Sequence, residues 1–300
     1  MEGERMKAVR VLAPAKINLL LDITGRLPDG YHTVEMIMQT VTLFDTLWLQ
    51  PLQGGGITAV CSDPYLPRDL ENLAGKAAAA FFAAVGIAGW GVDIQIEKRI
   101  PAQAGLGGGS SDAAAVLRAL NNMFSAGLSP EQLRQIGVSV GMDVAFCLAG
   151  GTLRAQGRGE ILTALPALPD CYLLIAKPAH GRSTAQAYSR YDAHPERILH
   201  PNRAAMERAL AQGDLPEIGR QLANVFEQLL PDSGRDTLLQ EFRQAGALGE
   251  VMSGSGSAVL GLFAEERLAQ RCMQKMHTRP EQFFLVRPLG ALPELETAER

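Results

Sequence analysis

Four groups of residues in this chain could do chemistry together. They are Lys16 and Asn18, the glycine-dense run Gly105–Ser111, Asp143, and a second glycine run at Ser253-Gly254-Ser255-Gly256-Ser257. Gly105-Leu106-Gly107-Gly108-Gly109-Ser110-Ser111 follows a strand pattern and opens a helix pattern. A helix N-terminus exposes unpaired N–H groups and carries a positive charge of about half a unit. Glycines let an anion come close to the main chain, since no Cβ intervenes. A phosphate is the natural guest, with a plain structural turn as the competing reading. Other phosphate signatures fail. Walker A needs Gly-Lys-Ser/Thr, and the Gly75-Lys76 pair is followed by Ala77. The dinucleotide pattern would need its third glycine at Ser110 or Asp112. No protein-kinase set or HExxH motif occurs. Lys16 and Asn18 lie two apart, so on a strand they share a face. Taken singly, Lys16 reads as a solvated strand lysine and Asp143 as a helix cap.

The elements that must hold these residues can be traced along the chain. Val9–Ala13 and Ile17–Asp22 read as two strands, and Pro28-Asp29-Gly30 as a tight turn. Val34–Leu49 reads as two further strands broken near Asp45, and Glu71–Val85 as a helix. Val92–Glu97 alternates as a half-buried strand. Asp112–Phe124 has helical apolar spacing, and Ser129 caps a helix opening on Pro130. Downstream, Cys171–Ala176 is a strand, followed by helical segments near Ser183–Arg190, Arg203–Ala211, Leu215–Leu230 and Thr237–Ala245. Leu248–Met252, Ala258–Phe263 and Phe283–Val286 are strands, with a helix over Glu265–Met276. That order fits a ferredoxin-like split βαβ layout, with a domain boundary near residues 155–165.

Composition bounds the function. Three hundred residues, 47% of them apolar, supply a core for one large domain or two ordinary ones. A formal net charge of -4 lacks the basic surplus of a general nucleic-acid binder. Cys61, Cys147, Cys171 and Cys272 show no CxxC spacing, which fits buried or partly buried free thiols in a reducing compartment. The charged start MEGERMKAVR lacks the apolar segment of a signal peptide, and the uncharged stretch Ala77–Val92 is too short to span a membrane. A cytoplasmic protein with no nucleic-acid or membrane partner is expected.

Read with its flanks, PAQAGLGGGSSDAA (Pro101–Ala114) resembles the phosphate loop of the GHMP kinases. GMDVAF (Gly141–Phe146) with GGTLRAQGRGE (Gly151–Glu160), and SGSGSAVLGLF (Ser253–Phe263), resemble the family's later motifs in the same order. PAKINLLLDITGRLPDGYH (Pro14–His32) resembles the members that phosphorylate the 2-hydroxyl of 4-CDP-2-C-methyl-D-erythritol. The resemblance implies an α+β fold of two domains. Residues 1–160 would form the N-terminal domain, related to ribosomal protein S5 domain 2. Residues 161–300 would form a ferredoxin-like C-terminal domain, with ATP and substrate in the cleft between.

It also implies roles. Asp143 would deprotonate the substrate hydroxyl, and Lys16 would stabilise the transferring phosphate and keep Asp143 ionised. Pro101, Ala102, Gln103, Ala104 and Gly105 through Ser111 would hold ATP, with Asn72 and Lys98 beside the adenine. Asn18, Tyr31, His32, Ser253, Gly254, Ser255 and Gly256 would meet the CDP-linked substrate. Mg²⁺ would be held mainly by phosphates and water, with Ser110 or Ser111 within reach and no dedicated protein ligand set. The protein would be a monomer or homodimer. Two departures from the family pattern are Met142, where a small residue is usual, and Ala145, where proline is usual. Another small alcohol as substrate, or a catalytically silent binding protein of the same fold, are the alternative readings.

Overall fold

A computed structural model describes residues 7–179, 184–194, 198–229 and 232–298. An eight-stranded sheet and a four-stranded sheet, each faced by helices, make up the molecule. The two expected N-terminal strands are one: β1 runs unbroken from Ala8 to Arg26, and β2 from His32 to Gln53. The break expected at Asp45 does not occur, because that carboxylate is satisfied inside the fold. It accepts from the Arg99 and Ile100 N–H groups and pairs with Lys98. The hairpin ladder is instead irregular between Pro14 and Lys16 and between Asn18 and Leu20, bracketing the two candidate site residues. Such bulges re-aim side chains and are common beside active sites.

The rest of the large sheet is β3 (Ile57–Cys61), β4 (Trp90–Glu97), β5 (Thr152–Gln156) and β6 (Ile161–Ala164). It also takes the two-residue β8 (Ala223–Asn224) and the C-terminal β12 (Glu296–Ala298). Against it pack α1 (Leu73–Val85), α2 (Gly108–Met123), α3 (Pro130–Val140) and α4 (Met142–Ala149). α3 starts as its sequence dictates, with a Ser129–Gln132 capping box and proline in its first turn. α2 begins four residues before the expected Asp112. Glycine is a poor helix former, but here contacts override propensity. A Cβ on Gly108 would lie 3.1 Å from the Ile100 side chain, and one on Gly109 would lie 3.3 Å from Leu73.

The chain leaves the large sheet after Ala164 and enters the small one at β7 (Tyr172–Lys177). β9 (Gly249–Met252), β10 (Val259–Phe263) and β11 (Gln282–Val286) complete an antiparallel sheet of order β11-β7-β10-β9, the expected ferredoxin-like arrangement. Its helices include α5 (Thr184–Ala193), α6 (Arg203–Gln212), α7 (Leu215–Gln221), α8 (Ser233–Gln244) and α9 (Glu266–Lys275). The helix expected to run from Leu215 to Leu230 is shorter. At Ala223 the chain turns extended and pairs in parallel with Leu20 and Leu21 of β1. Ser183, His180 and Leu230 lie outside the described residues.

Two cores result. Val9, Val11 and Ala13 of β1 join the helices of the large sheet, whereas Ala15, Ile17 and Leu19 pack with Leu173, Ile175 and Leu260 of the small one. No described helix is long and apolar enough to cross a membrane. The buried Asn224 ties the halves together. Its side-chain amide donates to the Met252 carbonyl at 2.8 Å and the Gly254 carbonyl at 2.7 Å. Replacing it with alanine leaves two buried acceptors without donors, so Asn224→Ala should lower unfolding free energy by about 2–4 kcal/mol. Urea denaturation followed by circular dichroism checks this; an unchanged midpoint would show that the tie carries no stability.

Candidate active site

Between its short neighbours β12 and β8, the outer edge of β1 has no strand partner among the described residues. Its N–H groups must be satisfied otherwise, and two loops do so. Lys16 N–H donates to the Leu106 carbonyl at 3.0 Å. Asn18 N–H donates to Ser253 Oγ at 3.2 Å, and that hydroxyl donates on to the Gly105 carbonyl at 2.9 Å. Ala258 N–H also donates to the Ala104 carbonyl. Both glycine runs are thus stitched to β1 and to each other. The fit demands glycine: Gly105 has φ +77°, and a Cβ there would sit 2.1 Å from the Ser253 carbonyl oxygen.

Two cavities meet at this junction, one of about 1050 Å³ and one of about 480 Å³. Gln103, Gly105, Gly107 and Thr184 line both. The smaller lies along Ile100–Ser110, where α2 starts from Gly107 with no side-chain cap. Uncapped N–H groups beside a cavity form an anion cradle. At the mouth of the larger cavity stand Lys16 and Asp143, brought together from β1 and α4. Lys16 Nζ lies 3.4 Å from Asp143 Oδ2; the lysine side chain is buried and the aspartate side chain one-third exposed. Asp143 sits in the first turn of α4, where the helix dipole favours an anion, and Gly141 rather than Asp143 occupies the cap position.

The remaining expected site residues divide. Asn18 shares Lys16's face, as period 2 requires, but it is buried and does not line the larger cavity. Its Oδ1 accepts from Lys16 Nζ at 2.9 Å, and its amide faces Met36 Sδ. Ser111 is likewise turned inward, donating to the Pro14 carbonyl at 2.7 Å, so Ser110 keeps the hydroxyl nearer the cradle. Asn72 caps α1 through the Ala74 N–H and donates to the Pro67 carbonyl, in the wall of the smaller cavity. Lys98 lines that wall too, with its ammonium held by Asp45 and Asp112. Gly254, Ser255 and Gly256 line the larger cavity, and Ser253 is buried beneath them. Among the described residues, no group of three or more His, Cys, Asp or Glu side chains could hold a metal.

Tyr31 and His32 line the far end of the larger cavity, where the β1–β2 turn is set by Gly30 at φ +89° and by Asp29 accepting from the Tyr31 N–H. Tyr31 is exposed, with the Arg158 guanidinium 4.6 Å from its ring centre and Asp29 paired to that guanidinium. His32 stacks on Tyr188 of α5 at 4.7 Å, and its Nε2 meets Asp192 at 2.6 Å. Burial, then Asp143, pushes the Tyr188 phenol up to about 12, so it stays a neutral donor at ordinary pH. Arg158, Thr184, Tyr188 and Asp192 carried no role in the sequence. Arg158 lies inside the glycine-rich GGTLRAQGRGE run, which marks the segment but not the side chain. The α5 residues gave no signal, because only folding brings them to β1 and β2.

Residues 72–151 match the GHMP kinases N terminal domain, and residues 206–282 match the GHMP kinases C terminal domain. A 4-diphosphocytidyl-2-C-methyl-D-erythritol kinase from Geobacillus thermodenitrificans is 42% identical over 95% of this chain and 99% of its own. One from Exiguobacterium sibiricum is 45% identical over 93% and 98%. A crystal structure of a 4-(cytidine 5'-diphospho)-2C-methyl-D-erythritol kinase superposes with TM-score 0.78 at 34% identity, covering 94% of this chain and 100% of that one. A homoserine kinase from Cytophaga hutchinsonii shares the fold, with TM-score 0.75 at 19% identity, covering 99% and 98%.

The four thiols are free. Burial pushes Cys171 up to about 12 and Cys272 up to about 11, raises Cys147 further, and raises the less buried Cys61. Cys61 lines the smaller cavity. Alkylation of the folded protein at mildly alkaline pH should therefore modify Cys61 first and the other three only on unfolding, as peptide mass spectrometry will reveal. Early labelling of Cys147 would contradict this packing.

Proposed function

The chain belongs to the 4-diphosphocytidyl-2-C-methyl-D-erythritol kinases of the GHMP kinase superfamily, and from that premise we propose that it transfers the γ-phosphoryl group of ATP to the 2-hydroxyl of 4-CDP-2-C-methyl-D-erythritol, in the non-mevalonate route to isoprenoid precursors. The observation that carries the reading is the Lys16–Asp143 pair at 3.4 Å, standing where the anion cradle opens into the larger cavity.

In this reading ATP lies in the smaller cavity, its phosphates on the loop N–H groups between Gly105 and Ser110 and its adenine toward Asn72. The CDP-linked alcohol fills the larger one. Its cytosine stacks on Tyr31, whose ring is open to solvent and backed on one side by Arg158. His32, held by Asp192 and Tyr188, supplies a hydrogen bond to the base. The diphosphate approaches Gly254–Gly256, where Thr184 Oγ1 lies 2.8 Å from Ser255 Oγ. The alcohol oxygen then attacks the γ-phosphorus. The new O–P bond forms as the bond to the ADP oxygen breaks, and the alcohol proton passes to Asp143. Lys16 offsets the charge gathering on the transferred group, and Asn18 orients Lys16 from behind. Holding both reactants in line supplies much of the catalysis, since phosphoryl transfer needs positioning and charge neutralisation above all.

Mg²⁺, when bound with ATP, neutralises phosphate charge. The donors present suit an ion held through phosphate oxygens and water, with the Ser110 hydroxyl and the Asp143 carboxylate the groups available to it. The reading divides the chain into an N-terminal domain of residues 1–160 and a C-terminal domain of 161–300, with the change of sheets beyond Ala164 as support. It assigns a cytoplasmic monomer or homodimer.

ATP consumption should be seen with 4-CDP-2-C-methyl-D-erythritol and not with mevalonate, phosphomevalonate or homoserine. Turnover of one of the latter would redirect the assignment, and no turnover with any would favour a silent binding protein. Asp143→Asn should lose at least about a thousandfold in kcat while still binding ATP; near-normal turnover removes Asp143 from the base role. Tyr31→Ala should raise KM for the CDP substrate by about tenfold or more, as the loss of one stacked base predicts, and leave KM for ATP within twofold. Equal effects on both would count against the stacking role. ATP should also slow alkylation of Cys61, placing the nucleotide in the smaller cavity.

A further inference from the structure

A third cavity, of about 470 Å³, shares the Ile100–Ala102 wall of the smaller one and takes no part in the mechanism. Its opposite wall is the end of β7, where Lys177 closes an inward-facing stripe. Alternate residues of a strand share a face, so Lys177 follows Leu173 and Ile175, which pack with Ala15, Ile17 and Ile100. That face calls for a third apolar side chain and receives an ammonium instead. Lys177 is 7% exposed, and the one partner of its Nζ among the described residues is the carbonyl of the next residue, Pro178. A buried cation without a counter-ion is costly, and burial pushes Lys177 down from the ordinary lysine value. Arg99 lines the same cavity. Its N–H serves Asp45, while its guanidinium makes no hydrogen bond or ion pair among the described residues. Asp63 is the one carboxylate in the lining. Its Oδ1 accepts from the Tyr65 N–H at 3.0 Å, and it pairs with neither cation. Lys98 also lines the cavity, but it is committed to Asp45 and Asp112, which do not.

We propose that this cavity binds a tetrahedral oxyanion, either inorganic phosphate or the phosphoryl group of a small monoester, between the Arg99 guanidinium and the Lys177 ammonium. A guanidinium offers a planar fork that matches phosphate oxygens, and an ammonium adds a compact point charge. Pro101, Pro178 and Pro280 stand in the wall without N–H groups of their own, so the two side chains are the donors that an anion meets. The anion supplies the counter-ion that Lys177 lacks. Because residues 100–102 wall both cavities, it also ties the segment leading into the glycine run to the end of β7. The site is separate from those assigned to ATP and the CDP-linked alcohol, and it stands whether or not the smaller cavity takes nucleotide.

Titration calorimetry of the full chain with inorganic phosphate, and then with glycerol 3-phosphate, tests this without turnover. Lys177→Met keeps the apolar stem and removes the charge, and Arg99→Gln changes an exposed side chain. Each should weaken phosphate binding at this site by at least about tenfold, as the loss of a hydrogen bond to a charged group predicts. Glycerol 3-phosphate binding more tightly than phosphate points to a monoester as the occupant, and binding more weakly points to the free ion. The glycine run is itself a phosphate cradle, so position is read separately. Tungstate, a heavy tetrahedral dianion, soaked into crystals should give an anomalous peak between Arg99 and Lys177. A peak at the glycine run with none here, or phosphate binding unchanged in both variants, overturns the proposal. In phosphate-free buffer Lys177→Met should melt no lower than the wild type, because it removes a buried cation that lacks a counter-ion. A variant that melts well below the wild type shows that the ammonium is already satisfied, and overturns the proposal too.

Discussion

The site depends on two backbones being allowed to touch. Gly105 and Ser253 approach so closely that a single methyl group on Gly105 would overlap the Ser253 carbonyl oxygen. That contact joins the large sheet's glycine loop to the small sheet's glycine loop. Both are then hung on the unpaired edge of β1 through the Lys16 and Asn18 N–H groups. Because one strand supplies both the anchoring N–H and the ammonium of Lys16, placing the loops also places the amine against them. The Asp143 carboxylate then needs only to arrive from α4, which packs on the same core as α2.

This arrangement solves a problem of accounting. A strand edge with free N–H groups invites pairing with another chain, and a helix start with free N–H groups needs an acceptor. The fold satisfies the first with loop carbonyls and leaves the second facing a cavity. Asn224 and Ser253, both buried, extend the same economy across the two sheets. Polar groups buried at such a junction must be nearly all satisfied, since each orphan costs about 1–3 kcal/mol. The orphaned Asp112 Oδ1 stands out against that background.

How much could be read from the sequence follows from what each part is made of. The cradle was legible because main-chain chemistry imposes glycine wherever a Cβ cannot fit, and Gly105 and Gly107 leave that mark in the text. The ferredoxin-like order of the small sheet was legible from alternating and helical periods alone. Less legible were features decided by tertiary contacts. Asp45 reads as a strand breaker by residue type, but Lys98 and two N–H groups, contributed by a distant segment, satisfy it within the strand. Gly108 and Gly109 read as loop by residue type, but Ile100 and Leu73 lie so close that a Cβ would crowd them. Asn18 shares the face of Lys16 as its spacing requires, yet no spacing rule says that its amide serves the lysine rather than a ligand.

The wall around Tyr31 and His32 shows the same division at its sharpest. Tyr188 and Asp192 come from α5, more than a hundred and fifty residues along the chain, and reach His32 only through the docking of one sheet's helix on the other sheet's hairpin. A side-chain pocket can be rebuilt by exchanging a few such residues without disturbing the loops, whereas the backbone cradle tolerates almost no exchange. In the proposed reading the glycine contacts would fix where phosphate sits, leaving the hairpin and α5 free to choose the alcohol. In that reading substrate choice is to be sought in residues 26–32, 158 and 184–192, not in the backbone loops.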